Sequence, residues 1–226
     1  MAILVTGGAG FIGSNTRAEL LERGESVVIV DNFNDYYNPL IKKNNISSAL
    51  QNNRCKLYKA DILDIGKMEE IFKQNEITKV VHLAARAGVR PSISNPQLYA
   101  TVNINGTINI LELAKKYNVA NFVFGSSSSV YGNKTKIPFS EDDKVDSPIS
   151  PYAATKKAGE DLCSCYHGLY GLNVSCLRFF TVYGPRGRPD MAPYKFTEMI
   201  IKGQEIPIYG NDNTSRDYTY VDDVVS

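Results

Sequence analysis

Short runs of unbroken apolar residues, many of them β-branched, alternate along this chain with stretches of helical periodicity. AILVT (2–6) predicts a strand, and FIGSNTRAELLERG predicts a helix closed by Gly24. SVVIVD (26–31) is apolar on both faces, as a buried parallel strand must be. A polar, aromatic loop, DNFNDYYNP, and a weak helix lead to the strand KLYKAD (56–61). LDIGKMEEIFKQN is an amphipathic helix, and TKVVHLAA (78–85) is the fourth strand. Asn95-Pro96 opens a long helix running to about Tyr117, followed by the strand NFVFGSS (121–127). SPYAATKKAGEDLCSCYHGLYG predicts a second long helix, and LNVSCLRFF (172–180) a sixth strand. This order predicts the α/β class: a doubly wound parallel sheet with right-handed crossovers.

The rhythm changes after Tyr183. GPRGRPDMAP is a Gly/Pro/Arg loop, KFTEMIIKG a helix, and RDYTYVDD a strand running into a helix start. The chain therefore divides into a doubly wound domain over 1–183 and a small lobe over 184–226, laid on the carboxyl edge of the sheet. The last residues, VDDVVS, fall where Asp222 or Asp223 begins a helix, so the lobe is expected to be partial and the chain truncated.

Composition narrows the class. Hydrophobic residues make up 43% and charged residues 22%, values ordinary for a globular protein. The formal net charge of +1 points to neither a nucleic-acid nor a membrane-surface partner. No stretch reaches the roughly 18 apolar residues of a membrane span, and MAILV is too short for a signal-peptide core. Four cysteines, Cys55, Cys163, Cys165 and Cys176, show neither a disulfide framework nor metal-ligand spacing with His82 or His167. No metal is expected, and a reducing cytosol is the expected compartment.

The glycines carry the first chemistry. Gly8-x-Gly10-x-x-Gly13 and the overlapping Gly7-x-x-Gly10-x-x-Gly13 follow a strand and open a helix. That placement lets backbone N–H groups meet a pyrophosphate at the helix N-terminus, as in a Rossmann dinucleotide site. Asp31 ends the next strand, where a carboxylate binds a ribose diol. It would repel a 2′-phosphate, which favours NAD over NADP. Asp61-Ile62 is open to two readings, an acceptor for an adenine amino group or a helix N-cap. Leu83-Ala84-Ala85-Arg86 ends the fourth strand with small residues, as expected where a backbone passes close to a cofactor. Asn103, within a helix, reads on physical grounds as a surface polar residue rather than a buried brace.

The second chemistry lies further on. Tyr152 and Lys156 stand four apart and share a helix face. Ser127 ends the preceding strand within Ser126–Ser129. A nearby ammonium and an oxidised nicotinamide would both favour phenolate, lowering a phenol from its usual pKa of about 10. Arg178, Arg186, Arg188 and Arg216 all fall in the second half, and guanidinium forks suit diphosphates and carboxylates. Arg216 is the first choice for an anion site, and Arg188 the second.

Together these motifs resemble the extended short-chain dehydrogenase/reductases that act on nucleotide sugars, the NAD-dependent epimerase/dehydratase family. Within it the likeness is strongest to UDP-glucuronate 4-epimerases. It runs over almost the whole chain: GGAGFIGS, DNFNDYYNP, HLAARAGVRPSISNPQLYATVNINGTINILELAK, FGSSSSVYG, IPFSEDD, SPYAATKKAGE, LRFFTVYGPRGRPDMAP and RDYTYVDD. The resemblance implies an NAD-dependent isomerase with NAD regenerated in each turnover. Tyr152 would be the base, Lys156 its support, and Ser127 would orient the sugar. The NAD site would take in Gly7, Gly10, Phe11, Ile12, Gly13, Asp31, Asn32, Asp61, Ile62, Leu83, Ala84, Ala85, Arg86 and Asn103, with Tyr152 and Lys156. Ser127, Ser128, Ser129, Thr181, Arg188 and Arg216 would face a UDP-sugar. The helices near 96–117 and 152–170 would form a homodimer. Asn15-Thr16 departs from the family's usual aromatic or His and apolar pair, which flags the packing of the first helix.

The reaction follows from two positions. Dehydratases resembling this chain carry an Asp-Glu pair before Val-Tyr-Gly, and decarboxylases a glutamate in the second position, whereas Ser128 and Ser129 stand here. The expected activity is 4-epimerisation of UDP-glucuronate to UDP-galacturonate through a 4-keto sugar, with Thr181, Arg188 and the serines holding the carboxylate. The alternatives are a UDP-glucose/UDP-galactose 4-epimerase, or an inactive fragment that binds NAD or a nucleotide sugar.

Overall fold

The computed structural model describes residues 1–134, 136–207 and 215–226. Six strands, β1 (Ala2–Thr6), β2 (Val27–Asp31), β3 (Cys55–Lys59), β4 (Ile77–His82), β5 (Asn121–Ser127) and β6 (Val174–Phe179), form one sheet in the order β3-β2-β1-β4-β5-β6. Every pairing is parallel. Strand order runs outward in both directions from the β1/β4 pair, which makes their carboxyl ends the switch point where such sheets bind ligands. The crossovers are α1 (Phe11–Glu22), α2 (Pro39–Ile46), α3 (Ile65–Asn75), α4 (Val89–Ser94), α5 (Pro96–Ala100), α6 (Gly106–Lys116) and α7 (Pro151–Tyr170).

The unbroken apolar strands arise because both faces are covered. Val28 and Val30 of β2 join a core with Met68, Ile71 and Phe72 of α3, Ile110 and Leu111 of α6, and Cys163 of α7. Val27 and Ile29, pointing the other way, pack with Leu21 of α1 and Ile46 of α2. Successive strand residues alternate faces, so a strand with helices on both sides has no polar position to spare.

The expected single helix over 96–117 is divided. α5 ends at Ala100, a widened π-helical turn spans Thr101–Asn105, and α6 continues from Gly106. An i→i+5 turn inserts one residue into the helical phase, a distortion that amphipathic periodicity does not report. By contrast α7 has clear boundaries. The Ser150 side chain accepts from the Ala153 N–H at 3.1 Å, Pro151 occupies the first turn, and Gly171 closes the helix in the left-handed region at φ 69°.

The small lobe is tied down at one corner. β7 (Thr181–Tyr183) pairs with β8 (Tyr218–Tyr220), so the expected division at residue 183 is bridged by a strand pair. α8 (Ala192–Ile201) buries no residue, while α9 (Val221–Val225) sets Val221 against Phe11 and Val182. Asn15 joins the same corner. Its amide donates to the carbonyls of Phe11 and Pro185, and its oxygen accepts from Arg186 at 2.9 Å. The flagged departure at Asn15 thus stitches α1 to the 184–188 loop, and Thr16 turns its hydroxyl back onto Ile12.

Two glycines of α7 make opposite predictions. A Cβ at Gly159 would lie 2.3 Å from the Phe124 ring, whereas one at Gly168 meets nothing within 4 Å. Gly168→Ala is expected to raise stability by about 0.5–1 kcal/mol through helix propensity alone. Gly159→Ala is expected to lower it by about 1–3 kcal/mol through overpacking against β5. Urea denaturation of the two variants checks the sign of each.

Candidate active site

A cavity of about 460 Å³ opens along the carboxyl ends of the strands, and twenty of the residues expected at the site line it. Its floor is the glycine turn. Gly7 adopts φ 67°, and a Cβ there would sit 2.9 Å from the Ala84 nitrogen. A Cβ at Gly13 would sit 2.3 Å from the Gly7 carbonyl oxygen. Two β-carbons would fill this cradle, so glycine keeps it open. α1 begins at Gly10 without a side-chain cap, leaving the first N–H groups, beside Phe11 and Ile12, unclaimed by any side chain. That donor set suits a diphosphate.

The ends of β2 and β3 form the next wall. Asp31 is 6% exposed, and its carboxylate accepts from the N–H of Ala9 at 3.3 Å and of Phe33 at 2.8 Å. Lys42 of α2, 5% exposed, lies 3.4 Å away. No periodicity singled out Lys42, because α2 is short and weakly amphipathic. Its charge offsets that of Asp31, so repulsion by Asp31 alone does not discriminate against a 2′-phosphate. Asn32 donates to Asp61 at 2.8 Å, and Asp61 also accepts from the Leu63 N–H at 3.0 Å. Of the two readings of Asp61, the helix cap goes to a different residue. Asp64 caps α3 by accepting from the Lys67 N–H at 2.9 Å, and Asp61 with Ile62 stays on the cleft wall.

Leu83, Ala84, Ala85 and Arg86 continue the wall beyond β4. Asn103 corrects the expectation twice over. It is neither on the surface nor on the wall, but 3% exposed behind it. Its amide oxygen accepts from the Arg86 N–H at 2.7 Å, and its nitrogen donates to the Arg86 carbonyl and the Thr155 hydroxyl, each at 3.0 Å. The widened turn carries this side chain inward, out of helical phase.

Tyr152, Lys156, Ser127, Ser128, Ser129 and Thr181 line the opposite wall. Ser127 and Ser129 share a hydrogen bond of 2.6 Å, while Ser126 turns away to Glu160. The Tyr152 ring meets Tyr99 edge-on at 6.3 Å. Burial raises the Tyr152 phenol above its usual value, with the Ser127 hydroxyl and the Arg188 charge pulling the other way. The ammonium expected to support the phenol has its own partners. Lys156 donates to the Gly125 carbonyl at 2.6 Å and lies 5.0 Å from the centre of the Phe124 ring. Burial lowers its own pKa to about 8. The phenol's local cation is Arg188.

The four arginines separate cleanly. Arg188 lines the cavity, bonded to Asp190 at 2.9 and 2.5 Å, with its guanidinium 5.4 Å from the centre of the Tyr36 ring. Arg178 is bidentate on Glu160 at 3.0 Å and 3.0 Å, and Arg186 bonds Asn15. Arg216, the first choice from sequence, is exposed outside the cavity, with its Nη1 on the Ser215 carbonyl. It stands just before β8, next to a segment outside the described residues. Tyr36 and Tyr37 also line the cleft. The tyrosine pair in DNFNDYYNP was the signal for them, visible only as an aromatic loop.

Comparisons with known proteins agree with this geometry. The family model for the NAD dependent epimerase/dehydratase family matches residues 3–226. UDP-glucuronate 4-epimerase 4 of Arabidopsis thaliana is 48% identical over all of this chain and 52% of its own length. UDP-glucuronate 4-epimerase of Thermodesulfobacterium geofontis is 47% identical, over 98% of this chain and 68% of its own. The UDP-glucuronic acid 4-epimerase of Bacillus cereus, crystallised with UDP-glucuronic acid and NAD, superposes with a TM-score of 0.92 at 40% identity, over 100% of this chain and 71% of that one. The UDP-glucose 4-epimerase of Thermotoga maritima, crystallised with UDP-glucose, gives 0.90 at 38% identity, with the same coverage. The chain spans about half the length of the plant relative. With a matching model over nearly every residue, the chain belongs to the NAD dependent epimerase/dehydratase family.

Proposed function

We propose that this protein interconverts UDP-glucuronate and UDP-galacturonate by NAD-dependent 4-epimerisation through a 4-keto sugar. The observation that carries this reading is one cleft holding a phenol, a serine cluster without a carboxylate, and a guanidinium. NAD, when bound, supplies the reversible hydride acceptor at C4. The glycine turn and the α1 N-terminus would hold its diphosphate, with Asp31 and Asn32 at a ribose. Tyr152 Oη takes the proton of the C4 hydroxyl as that carbon is oxidised and returns it on reduction. Ser127 orients the same oxygen. With Ser128 and Ser129 where elimination needs acids, the keto sugar has no group to drive loss of water.

A uronate places further demands on the site. A 4-ketouronate is a β-keto acid, which loses CO₂ when the carboxylate turns out of the plane that protects the C–C bond. Arg188, Thr181 and Ser129 are available to hold that group in one orientation. The UDP-glucose/UDP-galactose reading draws support from Asp190, which already balances Arg188. A neutral hydroxymethyl group would therefore not leave the guanidinium uncompensated.

The wider reading includes residues 1–183 as the cofactor-binding domain and 184–226 as part of the substrate lobe. It includes a homodimer through α5–α6 and α7, whose Leu169 and Tyr170 are 73% and 52% exposed. Four unpaired cysteines suit a reducing cytosol. No described helix is long and apolar enough to cross a membrane.

Tyr152→Phe is expected to lower turnover by about 10²–10⁴-fold while leaving NAD affinity near that of the unmodified protein, because the ring and its packing on Tyr99 remain. Steady-state kinetics with a parallel NAD titration check this, and unchanged turnover removes the tyrosine from the mechanism. Incubation with each UDP-sugar, read by nucleotide chromatography, separates the two substrates. Conversion of UDP-galacturonate is expected, and conversion of UDP-galactose alone would overturn the uronate reading.

A further inference from the structure

His82 ends β4 and is 1% exposed, with no place in the chemistry above. Its Nδ1 lies 2.7 Å from the Thr6 hydroxyl and its Nε2 lies 3.1 Å from the Thr107 hydroxyl. Thr6 is 0% and Thr107 1% exposed, so no solvent can complete or reverse these bonds.

Counting donors fixes the direction of each bond. The Thr107 hydroxyl lies 2.6 Å from the Asn103 carbonyl, which can only accept, so its single proton is committed there. Thr107 must therefore accept from His82, and His82 carries its proton on Nε2. At the other end the Thr6 oxygen accepts the N–H groups of Leu83 and Ala84, each at 3.2 Å. The Leu83 N–H is shared with the Thr6 carbonyl at 3.2 Å, and with the ring proton on Nε2 the Thr6 hydroxyl proton goes to Nδ1. A second ring proton would have to displace the Thr6 proton and compete with these two N–H groups for the same oxygen. Burial and the Lys156 charge act in the same sense, lowering the His82 pKa to about 3.

The chain continues beyond Asn103. Asn103 donates to Thr155, whose hydroxyl donates to the Tyr152 carbonyl at 2.9 Å. One end therefore holds the Leu83–Ala84 backbone against Gly7, and the other holds the first turn of α7.

We propose that His82 and Thr107 are positioning residues: with Thr6, Asn103 and Thr155 they form a hydrogen-bond chain of fixed polarity that sets the cofactor wall and Tyr152 relative to each other. Neither residue touches the reacting atoms. Their action is to make the spacing between two walls of the cleft a property of the buried interior. The kinetic arm of the test rests on the epimerase reading, and the other arms do not.

The chain contains two histidines, His82 and the exposed His167, so ¹⁵N-histidine spectra are simple to assign. In the unmodified protein His82 is expected as the Nε2–H tautomer, unchanged from about pH 5 to 8. A His82 that titrates in this range, or that carries its proton on Nδ1, overturns the proposal whether or not any variant folds. Thr107→Val keeps the shape and removes the hydroxyl, and Thr107→Ser keeps the hydroxyl. Thr107→Val is expected to weaken NAD binding several-fold and to lower kcat on the order of tenfold or more at little-changed KM, with Thr107→Ser restoring both. A folded Thr107→Val with unaltered NAD affinity and kcat, and only a lower Tm, reduces the chain to a structural role and overturns the proposal. Absence of epimerisation in the unmodified protein, with the tautomer and NAD arms as expected, sinks the function reading and leaves the positioning role standing.

Discussion

Everything in this site depends on one close approach of backbone to backbone. At the switch point between β1 and β4, Gly7 lies so near the Leu83–Ala84 peptide that a methyl group would not fit. The glycine turn can therefore sit directly under the carboxyl ends of the strands, and α1 can start facing the cavity. A larger residue at Gly7 would push the β4 end outward, and with it the wall that runs through Arg86 to the helix carrying Tyr152. Close packing transmits such shifts because the interior has no slack to absorb them.

The site also places charge in buried and partly buried positions, and each case is settled differently. Lys42 is matched by Asp31. Arg178 is matched by Glu160 through two parallel bonds, which also secures the strand behind Ser127. Arg188 is matched by Asp190 while facing the cavity. Lys156 has a carbonyl dipole and a ring face as its direct contacts, and burial lowers its pKa although Glu160 acts the other way. A buried ammonium without a direct ion pair lowers stability, and it sits one helical turn from the phenol the proposed chemistry uses. Strain of this kind is commonest where a function requires it.

Much of this was legible in the residues. The inner strands β1 and β2, covered on both faces, write themselves as unbroken apolar runs, the edge strands β3 and β6 as mixed ones, and Gly/Asp spacing located the cradle. Side chains carried by irregular backbone were hidden. Asn103 reads as surface because a regular helix would put it there, and a π-helical turn changes the phase. Lys42 and Tyr36 belong to a loop and a short helix whose course no periodicity fixes. Arg216 shows the reverse limit: a motif names a residue type, but the backbone before β8 decides where that side chain lies, here outside the cavity.

The widened turn at Thr101–Asn105 has one more consequence. An α-helix advances about 100° per residue, so the extra residue sets the angular phase of α5 against α6. Tyr99, on α5, uses that phase to reach the Ala87 carbonyl at 2.5 Å and to face Tyr152 edge-on. Deleting a single residue here would leave two good helices and turn one of them by about a quarter of a circle. The tyrosine would swing off its partner although no contact residue had been altered, so at this point the length of the chain matters as much as its side chains.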